Sequence, residues 1–239
     1  MLIQGDANAL EMRCAAFLSQ DQVMMEEIRN NVDMHTMNQE RLGLPSRLIA
    51  KTFVFRLIYG GSAYSYANDP NFSVCKFSEK KWQEIIEKYY DKYRGLHKWH
   101  IKILQEVTLT GKLSTPTGRH FLFEPELRRG ERVFPQTTIK NYPVQSLGAD
   151  LMTIARVSLY NRMRKLNYEK ARLVNTVHDS IIIDCDNSHV STLAKTMLDV
   201  FEDVPKNFQK MFNKEFNLPM KAEVQVGNNW KDMEIWVDK

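Results

Sequence analysis

Arg47, Lys51, Phe55 and Tyr59 follow one another at steps of four residues. On a helix such steps form one slowly drifting stripe about 18 Å long. The stripe is cationic at one end and aromatic at the other. It suits a ligand with a polyphosphate at one end and a flat ring at the other. The same spacing also fits a helix whose aromatics enter a core while Arg47 and Lys51 extend to solvent. Two carboxylates, Asp6 and Asp179, stand far apart in sequence, each at the edge of a strand pattern. Brought together, they suit a pair of divalent ions that stabilise the attacking and leaving oxygens of phosphoryl transfer. The Ala7 backbone carbonyl, which makes no side-chain demand, offers a further oxygen. Each Asp taken alone reads more simply as a turn or cap residue.

The elements that must position these groups follow from periodicity and punctuation. Met1 to Asp6 reads as a buried strand, and Leu10, Cys14, Phe17 and Leu18 recur at helical spacing. Ser19 or Asp21 then caps a short helix through Ile28, and Asp33 caps another through Leu42. Ser46 opens the stripe helix, which runs from Arg47 to Tyr59 and stops at Gly60-Gly61. Ala63 to Phe77 reads as a loop, and Ser78 caps a long helix through about Gln105, bent at Gly95. Val107 to Thr115 alternates and reads as strands with tight turns. Glu124 to Gln136 reads as an exposed basic loop, and Val144 to Lys165 as a helix. Arg172 to Val177 and Ser180 to Cys185 are strands flanking His178-Asp179, Ser188 to Phe216 is helical, and Lys221 to Val226 is a last strand. The order predicts an α+β fold with a helical block inserted between strand-bearing parts.

Composition narrows the field without choosing within it. The 239 residues carry 33 Lys+Arg and 29 Asp+Glu, a net charge of +4 that permits a nucleic-acid partner without requiring one. Ten glycines and eight prolines are few for the length, which favours long helices. Three dispersed cysteines argue against a disulfide framework or a CxxC metal site. No apolar run reaches the ~18 residues of a membrane span and no leader pattern follows Met1, so a cytoplasmic setting and no membrane partner are expected. Phosphate-cradling GxxxxGK[ST] loops and GxSxG elbows are absent, leaving ATPase and hydrolase readings without support. His97-Lys98-Trp99-His100 reads as a solvated helix face. Arg128-Arg129-Gly130-Glu131-Arg132 reads equally as a DNA-backbone contact and as an ordinary exposed turn.

In order along the chain, the motifs resemble family A DNA polymerases, those similar to DNA polymerase I. Asp6-x-x-x-x-Glu11-x-Arg13 resembles the first catalytic motif. Arg47-x3-Lys51-x3-Phe55-x3-Tyr59-Gly60 resembles the fingers helix, and Val177-His178-Asp179 the last catalytic motif. Thr117-Gly118-Arg119, the run from Asn141 through Gln145 to Asp150, and Gly227-Asn228-Asn229-Trp230 complete the order. The short interval from His35 to Arg47 is similar to the phage branch. The resemblance implies a right-hand palm, an antiparallel sheet with helices, holding an inserted helical fingers subdomain. The first palm part would be 1–30, the fingers 31–105 and the second palm part 106–239.

The same resemblance implies roles. Asp6, Ala7 and Asp179 would hold two divalent metal ions, Mg²⁺ foremost. Glu11 would exclude a ribose 2′-hydroxyl, which argues against a single-subunit RNA polymerase. His35, Arg47 and Lys51 would hold the triphosphate, with Lys51 also aiding the leaving pyrophosphate. Phe55 would pack on the deoxyribose and base, and Tyr59 would close the templating site. Gln145 and His178 would donate to minor-groove acceptors, which check pair shape. Arg13 and Arg119 would support the primer end, and Asn141 would contact the DNA.

Four departures stand out: Ala7-Asn8-Ala9 for Tyr-Ser-Gln, Ser180 for the usual acid, Thr137 for an Arg, and Arg56 where Gly is common. Five residues precede Asp6, so a separate polypeptide supplying the thumb and remaining palm is expected, with weak duplex binding by this chain alone. The partners implied are primer-template DNA and dNTPs. The other readings are a non-catalytic DNA-binding protein and an assembly subunit on a polymerase scaffold.

Overall fold

The computed structural model describes residues 1–128, 130–165 and 170–237. The chain opens with β1 (Leu2–Ala7), α1 (Leu10–Ser19), α2 (Gln22–Arg29), α3 (Met34–Leu42), α4 (Arg47–Ile58) and α5 (Ala63–Ala67). A 3₁₀ turn at Pro70–Cys75 leads to α6 (Glu79–Lys92) and α7 (Arg94–Thr110). Two short hairpins follow, β2 (Lys112–Ser114) with β3 (His120–Leu122), and β4 (Glu126–Arg128) with β5 (Glu131–Val133). Then come α8 (Gln136–Lys165), β6 (Ala171–Val177), β7 (Ser180–Cys185) and a 3₁₀ turn at Asn187–His189. The chain closes with α9 (Val190–Glu202), α10 (Val204–Phe212), β8 (Ala222–Gly227) and β9 (Glu234–Ile235). The fold is α+β, as the sequence implied. It divides into two compact units, Met1–Met12 with Ser146–Lys239, and Arg13–Gln145.

The first unit is built on a five-stranded antiparallel sheet of order β6-β7-β1-β8-β9. Burial alternates along β1, so Ile3, Gly5 and Ala7 face one way and Asp6 the other. Gly5 has a packing reason. A Cβ there would stand 2.5 Å from Met197 Cγ and 3.2 Å from Phe201 Cε2, so only glycine lets α9 lie this close to β1. Leu193, Met197, Val200 and Phe201 complete that buried side of α9.

The second unit is helical around an aromatic core. Phe53, Tyr66, Trp82 and Tyr89 are each buried, with Phe53–Trp82 and Tyr66–Trp82 stacked at centroid separations of 5.8 and 5.1 Å. This core explains why 63–77 is not a plain loop. Ser62 and Ser65 form a reciprocal capping box and Asp69 caps the 3₁₀ turn. The turns so formed deliver Tyr66 and Phe72 onto Trp82. Arg56 holds the segment from outside, pairing with Asp69 and lying 5.6 Å from the Tyr66 ring and 5.9 Å from Phe72. That gives the Arg56 departure a structural purpose.

Other boundaries shift for identifiable reasons. The long helix breaks at Tyr93, where the Asp21 carboxylate, already capping α2 through Met24 N–H (2.9 Å), also accepts from Gly95 (2.6 Å) and Leu96 (3.2 Å). The helix then runs to Thr110, because Val107 packs with Ile103, Leu113 and Phe123 instead of joining a strand. The 124–136 segment contains the β4–β5 hairpin; Arg129 lies outside the described residues. The α8 helix begins at Gln136 and continues through Pro143, eight residues before the expected Val144 start. Its counterpart near the C-terminus ends at Phe212, with Pro205 opening α10 after the break at Asp203. His97 and Lys98 are exposed, but His100 is buried and its Nδ1 lies 3.0 Å from the Tyr90 hydroxyl, so that face is only partly solvated. Among the described residues, no helix is long and apolar enough to cross a membrane.

Candidate functional site

In the first unit the two distant aspartates meet on one pair of strands. β6 and β7 pair closely enough to leave only His178 and Asp179 in the turn, with Val177 opposite Ser180. Asp6 of β1 stands opposite Ser180 of β7, and the Ala7 N–H donates to the Asp179 carbonyl at 2.8 Å. The register therefore brings Asp6 and Asp179 to neighbouring positions, both half-buried. His178, exposed beside them, holds a φ of 50°, the left-handed region that non-glycine residues rarely enter. Ser180 closes the turn by donating its hydroxyl to the Val177 carbonyl at 3.0 Å. Glu11 lies in the first turn of α1 and is half-buried.

The oxygens present here suit a hard cation: two carboxylates and the Ala7 carbonyl. Among the described residues, no three His, Cys, Asp or Glu side chains gather into a metal cluster. With Ser180 in place of an acid, the protein donor set is sparse, which fits an ion completed by substrate phosphates and water. Glu223 of β8 lies directly opposite Asp6, a neighbour that no motif in the sequence announces.

In the second unit α4 presents the expected stripe. Ala50, Phe53, Val54, Leu57 and Ile58 form its buried face. Arg47 and Lys51 are exposed, while Phe55 and Tyr59 are half-buried, so Phe53 takes the core position and Phe55 stays on the outer side. His35 of α3 joins the stripe, its ring 5.7 Å from Phe55, and Lys51 Nζ lies 5.8 Å from the same ring. Burial first, then the Arg47 charge, holds the His35 imidazole below its ordinary value; Asp33 opposes this and Lys51 adds to it. Arg47 pairs with Asp33 at 2.8 Å, a bond that raises the guanidinium and holds the carboxyl well below its usual range.

At the far end of the stripe, Tyr59 meets α8. Gly60, at φ +92°, leaves 3.4 Å between an added Cβ and Thr137 Cα, so the chain turns close against that helix. The Gln145 amide donates to the Tyr59 hydroxyl. Tyr59, Thr137, Thr138, Asn141 and Tyr142 line a cavity of about 240 Å³. Sequence reasoning named Tyr59, Asn141 and Gln145 separately but not this contact. Arg119 is exposed at the β2–β3 turn, where Thr115 Oγ1 accepts its N–H at 3.2 Å. Arg13, by contrast, is buried, with a relative exposure of 6%.

Ordered motifs, an antiparallel sheet carrying paired aspartates and a cationic-aromatic helix define a class, and the comparisons agree on it. Residues 1–232 match the model of DNA polymerase family A; the chain belongs to that family. It is similar to DNA polymerase I of Bacillus caldotenax, at 25% identity over 242 residues, covering 97% of this chain and 26% of the relative. It is also similar to DNA polymerase I of Aquifex aeolicus, at 26% identity over 237 residues, covering 95% of this chain and 38% of the relative. Among solved structures it resembles the POL domain of Pol1 from M. smegmatis in complex with DNA primer-template and dNTP. That likeness has a TM-score of 0.78 at 22% identity, covering 97% of this chain and 40% of the other, and shows the fold. The chain thus spans between about a quarter and two-fifths of the length of these relatives.

Proposed function

We propose that this chain carries the nucleotidyl-transfer site of a template-directed DNA polymerase, with fingers at 31–105 between palm segments 1–30 and 106–239. The observation that carries the reading is the β1–β7 register, which sets Asp6 beside the Asp179 turn in a chain of this family. Asp6, Asp179 and the Ala7 carbonyl would hold two divalent ions, Mg²⁺ by the hardness of the donors. When bound, such ions supply charge stabilisation at the attacking and leaving oxygens. The chain's own residues do the rest. Glu11 fills the space at the sugar 2′ position. Arg47, Lys51 and His35 hold the triphosphate, with Lys51 neutralising the departing pyrophosphate, and Phe55 packs on the deoxyribose and base. Tyr59 closes the template side, and Gln145 and His178 donate to the minor groove of the terminal pair. Arg13, from a buried position, and Arg119 support the primer end, and Asn141 contacts the DNA.

The substrates are dNTPs and a primer 3′-hydroxyl on template DNA, and the setting is DNA replication in the cytoplasm, of a bacterial host if the short His35–Arg47 interval marks a phage origin. A separate polypeptide supplying thumb and remaining palm belongs to the same proposal. The second reading, a non-catalytic DNA-binding or assembly subunit, draws on Ser180, which leaves one carboxylate fewer at the turn. Primer extension with Mg²⁺ and dNTPs, by this chain alone and mixed with the polypeptide completing the relatives' length, separates the readings. Extension that rises when the second polypeptide is added is expected. Equal extension without it removes the split-polymerase part, and primer-template binding with no extension in either mixture favours the second reading.

A further inference from the structure

Asp33 serves two elements at once. Its carboxylate caps α3, accepting from the N–H of His35 (3.1 Å) and Thr36 (3.2 Å) and from the Thr36 hydroxyl (2.8 Å). The same two oxygens accept from Arg47, Nε at 2.8 Å and Nη2 at 3.3 Å. The anion that grips Arg47 is thus fixed by a helix cap and is no free rotor. Cap and guanidinium both stay open to solvent, with side chains 47% and 55% exposed. Beside them His35 is buried with an unpartnered Nδ1. One carboxylate therefore occupies the Arg47 end of the stripe that Lys51 and the His35 ring share.

We propose that Asp33 is a built-in surrogate for the polyphosphate: it holds Arg47 in a two-pronged pose and competes with the incoming anion, setting the affinity of the site. The inference rests on reading Arg47, Lys51 and His35 as the triphosphate-binding group. A guanidinium presents the same fork to a carboxylate and to a phosphate, so the Asp33 pair pre-forms the geometry a phosphate uses. A bound polyphosphate takes over those donors with the displaced carboxylate still nearby, and the two anions repel. At an exposed site that repulsion is screened by salt. Positioning and competition separate chemically. Asp33→Asn keeps a good cap and an acceptor while deleting the charge, whereas Asp33→Ala deletes both.

The test is calorimetric titration of inorganic tripolyphosphate, and of dNTP, into the chain at about 50 mM and about 300 mM salt. Asp33→Asn is expected to bind tripolyphosphate about three- to tenfold more tightly at low salt, the gain shrinking to within about twofold at high salt. Asp33→Ala is expected to bind less tightly than Asp33→Asn. Asp33→Ser, a second neutral cap, must behave as Asn does if Asn disturbs folding. A purely structural role would lower the melting temperature without a salt-dependent gain in affinity, and that result overturns the proposal. Wild-type binding with unchanged or weaker binding by both neutral caps also overturns it, leaving the nucleotide reading intact. No binding of tripolyphosphate or dNTP by any of these proteins removes that reading and this proposal together.

Discussion

Asp6 and Asp179 reach adjacent positions by different local routes, one on a regular strand, the other in a two-residue turn whose His178 holds a φ of 50°. Strain of that kind persists where the surroundings over-determine it, and the β6–β7 ladder on both sides of the turn does so. Ordered motifs around them, and not the side chains taken alone, make these residues legible in the sequence. Their register was not legible, because pairing residue 6 with residue 180 depends on how two distant strands meet. Asp33 and Glu223 went unnoticed as site neighbours for the same reason. Asp33 was visible as a cap, but its hold on Arg47 spans a helix–helix contact. Glu11 gives a residue-scale prediction. Glu11→Ala is expected to raise the kcat/KM of ribonucleotides relative to deoxyribonucleotides by about tenfold or more. An unchanged ratio would remove its role at the sugar.

Elements were most legible where caps and breakers agree. Asp21, Asp33, Ser46 and Ser78 all cap the helices that their spacing announced. The exceptions share a cause: tertiary packing overrode local signals. Tyr66 and Phe72 draw 63–75 into turns against Trp82, and Val107 stays helical because its side chain fills the core beside Ile103. Burial also sets a titration. Its His100 is pushed down to about 3, by desolvation first and then by Lys140 and His97. An unfolded histidine takes its proton near pH 6.5, so the unfolded state binds more protons between the two values. Stability contributed by neutral His100 is therefore present above pH 6.5 and lost as the pH falls below it. Moving from pH 7.5 to pH 5 is expected to cost about 2 kcal/mol through this residue. Urea unfolding at the two pH values should give a smaller loss for His100→Gln than for wild type. An equal loss would assign the acid sensitivity to other groups.

At the scale of the whole molecule, the family match covers residues 1–232, while the relatives are between about two and a half and four times as long. Activity is thus a property to be measured both on this chain alone and with the further length of its relatives supplied, and a net charge of +4 does not by itself require a tight grip on DNA. The central claim is that Asp6 and Asp179 act as one unit in nucleotidyl transfer. Single-turnover primer extension tests it most directly, using whichever mixture gives the faster wild-type rate, for Asp6→Ala, Asp179→Ala and the double variant. Primer-template affinity is measured alongside by anisotropy. Each single variant is expected to lose at least about a thousandfold in rate, the double to be little slower than either single, and DNA affinity to stay within about threefold. A variant extending at near wild-type rate, or a wild-type protein that extends no primer in any mixture, would contradict the account.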